Sequence, residues 1–209
     1  PLGYLEKLRE ICSSHGILLI FDEVITGFGR LGYSFASERF SVLPDIITMA
    51  KGITNGTVPM GAVGVRKNIY KSLLENQKDI IELFHGYTYS GHPLACAAAI
   101  ATLDIYAEDQ LFDRSKNMEK LFSNAAHTLK KIDKVVDIRS LGLVAGIELV
   151  ERKKSPLNLG RDIFVECFNR GVLVRATGNN IAISPPLITT ESQIDQIFDT
   201  IAKAIKAVY

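Results

Sequence analysis

A continuous apolar run, Ile17 to Phe21, ends abruptly in two carboxylates, Asp22 and Glu23. Unbroken apolar character marks a strand covered on both faces, as in a parallel sheet, rather than the alternation of a half-exposed one. Its surroundings agree. Leu5–Ser14 reads as a helix with Leu5, Leu8 and Cys12 on one face, stopped by His15-Gly16. Asp45–Met49, after Pro44, reads as a second short strand, and Gly61–Val65 as a third. A helix follows near Ile69–Glu75, then a polar, glycine-containing loop from His85 to His92. Pro93 suits the first turn of a helix and opens an alanine-rich one through Ile105. Helix, strand and loop alternating in this way predict an α/β sheet.

The second half is patterned differently. Met118, Leu121, Phe122, Ala125 and Leu129 recur at helical spacing, which predicts a helix from about Leu111 to Ile132. Short strands are expected at Val135–Arg139, Leu143–Val150, Val172–Arg175 and Ile181–Ser184, with a helix at Asp162–Arg170. Thr190 and Gln193 have the spacing of a capping box, and Ile194, Ile197, Phe198, Ile201 and Ile205 form the stripe of the helix that follows. This half reads as a small α+β layer. The domain boundary is expected near residue 107, giving domains 1–107 and 108–209.

Composition narrows the function. The chain has 209 residues and a formal net charge of +1, so nothing in its charge favours nucleic acid or an anionic membrane as main partner. No apolar run approaches the roughly 18 residues a membrane helix needs. Cys12, Cys96 and Cys167 are too scattered for a disulfide framework or a zinc site, and fit a reducing, cytoplasmic compartment.

Four places could carry chemistry. Ligands of parallel sheets bind at the carboxyl ends of strands, where Asp22 stands; an Asp capping the next turn fits the same residues. Glu23 is expected as a structural ion-pair partner. Lys51, followed by Gly52, ends the second strand near the same sheet edge. A partly desolvated lysine there can be a Schiff-base nucleophile, though an exposed loop lysine is the commoner outcome. Thr88 and Ser90 precede a helix N-terminus, where donors and the dipole favour phosphate, but they are also ordinary loop residues. His85 and His92 lack acidic or cysteine co-ligands, so no metal is expected. Arg175, after a short apolar strand, could clamp a carboxylate or lie idle on the surface.

Several motifs in register are more specific than any one of them. The runs Phe21-Asp22-Glu23-Val24-Ile25-Thr26-Gly27-Phe28-Gly29-Arg30, Pro44-Asp45-Ile46 leading to Ala50-Lys51-Gly52, and His85-Gly86-Tyr87-Thr88-Tyr89-Ser90-Gly91-His92-Pro93 occur in order, and Arg175 through Pro185-Pro186 also fits. The chain thereby resembles the class III, ω-type aminotransferases, enzymes that use pyridoxal 5′-phosphate on the fold-type-I scaffold. The resemblance implies an incomplete, mostly parallel large-domain sheet plus a small C-terminal α+β domain. It implies that Lys51 forms the internal aldimine and moves protons during catalysis, and that Asp22 pairs with the pyridinium nitrogen. Val24 would pack on the ring, Thr88 would bind the cofactor phosphate across a homodimer interface, and Arg175 would bind a substrate carboxylate. The implied reaction moves an amino group from an ω-amino acid or amine, such as β-alanine, to a keto acid such as pyruvate.

The family's earlier Gly/Ser-rich phosphate turn and its stacking aromatic are not found before Asp22, so the chain is expected to be a C-terminal portion whose N-terminal half is absent. An inactive fragment with an association role, or an aminomutase or decarboxylase of the same family, are the alternatives.

Overall fold

The apolar stripe of the first helix decides what it covers. Helix α1 (Tyr4–Ser14) ends where Gly16 takes φ 63° and the Ile17 N–H donates to the Cys12 carbonyl at 2.8 Å. That left-handed glycine closes the helix and turns the chain into the apolar run. Cys12 then packs on Leu19 and Val42, with Leu5, Leu8, Phe21 and Phe40 around them.

The computed structural model describes residues 1–75, 85–151 and 159–209. They divide into two compact units, Pro1–Phe28 with Tyr33–Gln110, and Gly29–Gly32 with Leu111–Tyr209. The first unit contains α1, β1 (Ile20–Asp22), α2 (Ala36–Arg39), β2 (Ile46–Met49), β3 (Ala62–Val65), α3 (Lys67–Glu75) and α4 (Pro93–Glu108). Its strands lie in the order β1-β2-β3. The β1–β2 pair is parallel, with Asp22 opposite Thr48, and β3 runs antiparallel to β2, so the three-stranded sheet is mixed.

The strand expected at Ile17–Phe21 begins only at Ile20, because the Leu19 carbonyl is where the ladder to β2 opens, accepting from the Asp45 and Ile46 N–H groups. Burial on both faces is not found in this unit. Leu19 is 6% exposed under α1, whereas Ile17, Leu18 and Ile20 are each more than half exposed. Leu18 and Ile20 alternate to the side opposite Leu19, which α1 does not cover, and Ile17 lies before the strand begins.

One buried carboxylate ties this unit together. Asp45 Oδ2 accepts from the Leu19 N–H at 2.8 Å and from Arg9 Nη1 at 2.6 Å, and Arg66 Nε lies 3.4 Å from Oδ1. These contacts link α1, the start of β1, the start of β2 and the residue after β3. The backbone hydrogen bond from Leu19, with the Arg9 bond next, holds the Asp45 carboxyl below its ordinary value.

The second unit contains α5 (Leu111–His127), β4 (Val135–Leu141), β5 (Val144–Leu149), α6 (Leu159–Asn169), β6 (Arg175–Thr177), β7 (Asn180–Ile183) and α7 (Glu191–Val208). Its antiparallel sheet has the order β4-β5-β7-β6. Ala145, Ile147 and Leu149 alternate inward along β5, and Ile181 and Ile183 along β7. Phe122 of α5 meets Phe198 of α7 edge-on at 5.2 Å. The capping box at Thr190 and Gln193 is present, with both reciprocal bonds made.

Two expected elements are shortened for local reasons. The long helix ends at His127 and tightens into a 3-10 turn over Thr128–Lys131. The strand expected at Val172–Arg175 begins only at Arg175. Gly171 takes φ 83° and the Val172 N–H donates to the Cys167 carbonyl, so these residues are occupied in closing α6.

Candidate active site

The sequence after β1 spends its polar groups within a few residues. Asp22 is the last residue of β1 and exposed, and its Oδ1 accepts the Val24 N–H at 3.0 Å. It therefore caps the following turn, as the simpler reading of these residues had it, while its side chain still faces solvent at the carboxyl end of the strand.

Glu23 behaves otherwise than expected. It is 1% exposed, and its carboxylate accepts from the Ala36 N–H at 2.9 Å, the Ser37 N–H at 2.8 Å and the Thr26 hydroxyl. Backbone donors at the start of α2 take the place of the expected cation, because the first N–H groups of a helix have no partner within it.

Lys51 follows β2 directly. It opens a 3-10 turn, Lys51–Ile53, with φ 45°, a left-handed conformation uncommon for a residue with a side chain. Since β1 and β2 are parallel neighbours in register at Asp22 and Thr48, Asp22 and Lys51 leave the sheet at the same, carboxyl, edge. Val24 lies in the turn after Asp22 and is partly buried.

The turn carrying Lys51 is gripped from two sides. A Cβ on Gly52 would lie 2.7 Å from Phe28 Cβ, so only glycine admits this approach. The Tyr106 hydroxyl of α4 donates to the Gly52 carbonyl at 2.8 Å, and the Tyr106 ring stacks on Phe28 at 6.4 Å between centroids. Phe28 lies in the Phe21–Arg30 motif but was given no role there, and Tyr106 did not stand out in the sequence. The only hint was a tyrosine near the end of an otherwise alanine-rich helix.

Thr88 is exposed in a turn closed by the Ser90 N–H on the Tyr87 carbonyl. His92 caps α4, its Nδ1 accepting the Leu94 N–H at 3.2 Å. Helix α4 is 16 residues long, about 24 Å at 1.5 Å per residue. Thr88 therefore precedes one end of α4, and Tyr106, which touches the Lys51 turn, lies near the other.

Arg175 belongs to the second unit. It is exposed at the start of the edge strand β6, opposite Ala182, and lines a groove of about 1240 Å³ with Phe164, Leu173, Pro186, Ile188 and Gln193. Among the described residues no three His, Cys, Asp or Glu side chains converge as a metal site, and no helix is long and apolar enough to cross a membrane.

Residues 1–205 match the family Aminotransferase class-III. The chain is 54% identical over 205 residues to an omega-aminotransferase of Caulobacter vibrioides, covering 98% of this chain and 47% of that protein. It is 40% identical over 210 residues to a beta-alanine–pyruvate aminotransferase of Pseudomonas aeruginosa, covering all of this chain and 47% of that protein. The crystal structure of an (S)-enantioselective omega-transaminase from Thermomicrobium roseum superposes with a TM-score of 0.92 at 36% identity, over all of this chain and 47% of that one. The chain thus spans about half the length of the relatives it matches. With its whole length aligned to that fold and to those sequences, the chain belongs to the class III aminotransferases, fold-type-I enzymes that depend on pyridoxal phosphate.

Proposed function

We propose that the protein carrying this chain is an aminotransferase that moves an amino group from an ω-amino acid or amine, such as β-alanine, to a keto acid such as pyruvate. The observation that carries this reading is that Asp22 and Lys51 stand at the carboxyl ends of adjacent parallel strands. The relative named for β-alanine and pyruvate supports the substrate class.

These residues fit pyridoxal phosphate. An exposed primary amine and an exposed carboxylate suit its aldehyde and its ring nitrogen, and among the described residues Asp22 commits only Oδ1, to the Val24 N–H. When bound, the cofactor supplies an electron sink for charge developing at the amine-bearing carbon. Asp22 accepts the ring N–H and favours its protonated form. Val24 offers an apolar side chain to the ring. Lys51 would hold the cofactor through Nζ, and the same amine would move the proton at the substrate carbon. Arg175 binds the carboxylate of the amino or keto acid through its planar guanidinium. Thr88 donates its hydroxyl to the cofactor phosphate of a second copy of the chain, which fits its position at the end of α4 away from the Lys51 turn. The working unit is then a homodimer.

The full-length protein is incubated with pyridoxal phosphate, reduced with borohydride and mapped by mass spectrometry. A single reduced adduct on Lys51, absent from Lys51→Ala, together with alanine formed from pyruvate and β-alanine, is the expected result. Adducts scattered over surface lysines, or no alanine, overturn the reading.

A further inference from the structure

We infer that Tyr106 is a positioning residue for Lys51, aiming its amine through the Gly52 carbonyl. This rests on the reading of Lys51 as the cofactor-bearing amine. Among the described residues no hydrogen bond holds Lys51 Nζ, so what the fold fixes is the direction in which the side chain leaves the backbone.

That backbone is left-handed at φ 45°, a conformation that persists only where the surroundings impose it. The Lys51 carbonyl accepts from the Gly56 N–H at 3.1 Å and the Thr54 N–H at 3.4 Å, which closes the turn on itself. The next peptide, between Gly52 and Ile53, is the one held from outside. The Gly52 carbonyl accepts the Asn55 N–H at 3.2 Å and the Tyr106 hydroxyl at 2.8 Å.

Tyr106 is well placed to transmit rigidity. It is 7% exposed, so water does not readily replace its hydroxyl. Its ring is backed by Phe28, and Phe28 in turn stands against the Cα of Gly52. The Gly52 peptide is therefore fixed on one face by packing and at its oxygen by a bond to α4. Losing the hydroxyl leaves the packing and the Asn55 N–H bond but removes the bond that ties the Gly52 oxygen to α4, so the turn is held less tightly. Reactions between positioned groups are sensitive to small angular errors, so a loosened Lys51 reacts more slowly while substrate binding is unaffected.

Tyr106→Phe in the full-length protein tests this, since it keeps the ring and its stacking. The rate of reducible cofactor attachment at Lys51 is measured by peptide mapping at limiting pyridoxal phosphate, beside the melting temperature and steady-state kinetics. Attachment at Lys51 is expected to slow about tenfold with labelling of other lysines unchanged, and kcat to fall about as much with KM for donor and acceptor within twofold. A variant that melts earlier yet labels Lys51 and turns over at wild-type rates overturns the inference, because the hydroxyl would then serve stability alone. A wild-type protein that takes no adduct at Lys51 overturns the reading of Lys51, and this inference with it.

Discussion

At the scale of single residues, the Lys51 turn depends on what its neighbours lack. Gly52 must have no Cβ, because Phe28 Cβ occupies the space 2.7 Å away. That atom sits next to the backbone and has little room to yield. Gly52→Ala is expected to lower stability by about 1–3 kcal/mol, the usual cost of overpacking, read as a shifted urea midpoint with an unchanged slope. An unchanged midpoint would mean that Phe28 moves aside freely. The same scale shows why sequence reading assigned Glu23 a cation. A buried carboxylate needs compensation, and residue types do not reveal that unpaired N–H groups at Ala36 and Ser37 supply it.

Among the elements of the first unit, Asp45 joins pieces that local pattern leaves separate. Its carboxylate is hydrogen-bonded by the Leu19 backbone and by Arg9, and its pKa is lowered from 3.8. A carboxyl depressed in the folded state contributes stability that is complete above its unfolded value and lost as pH falls through the folded one. Stability is therefore expected to decline below about pH 4, and Asp45→Asn to be less stable at pH 7 with a flatter acid limb, measured by thermal melts from pH 7 to pH 2.5. Equal acid limbs in the two proteins would remove Asp45 from this role. The Gly16 stop and the Thr190–Gln193 box were legible because they depend on residues only a few positions apart, whereas the end of α5 at His127 was not. Strand starts were less legible. β1 and β6 begin late because Leu19 and Val172 are claimed by bonds that pattern does not display.

For the whole molecule, chain order and packing part company. Residues 29–32 lie in the first half of the sequence yet belong with the second unit. Arg30 Nη1 donates to the Leu143 carbonyl at 3.0 Å and the Pro185 carbonyl at 2.5 Å, and the Arg30 carbonyl accepts the Leu143 N–H at 2.9 Å. Leu31, 2% exposed, is buried there as well. Arg175, also of that unit, is proposed to act on substrate only in the complete enzyme. Arg175→Ala in the full-length protein is expected to raise KM for keto acids about 10- to 100-fold, the loss of a charge-assisted hydrogen bond, with a much smaller change for simple amines. Equal effects on both substrates would argue against a carboxylate clamp.

What the sequence by itself determined is what depends on near neighbours and on motifs in register: most of the helices and strands, several caps, and the family; Asp22 and Lys51 are proposed from the same motifs. What only the tertiary structure decided is how those residues are held. The grip on Lys51 comes from a hydroxyl 54 positions from Gly52, Glu23 is satisfied across a loop, and Asp45 reaches back to α1. Each is a bond between groups that become neighbours only once the chain has folded, and periodicity carries no record of such distances.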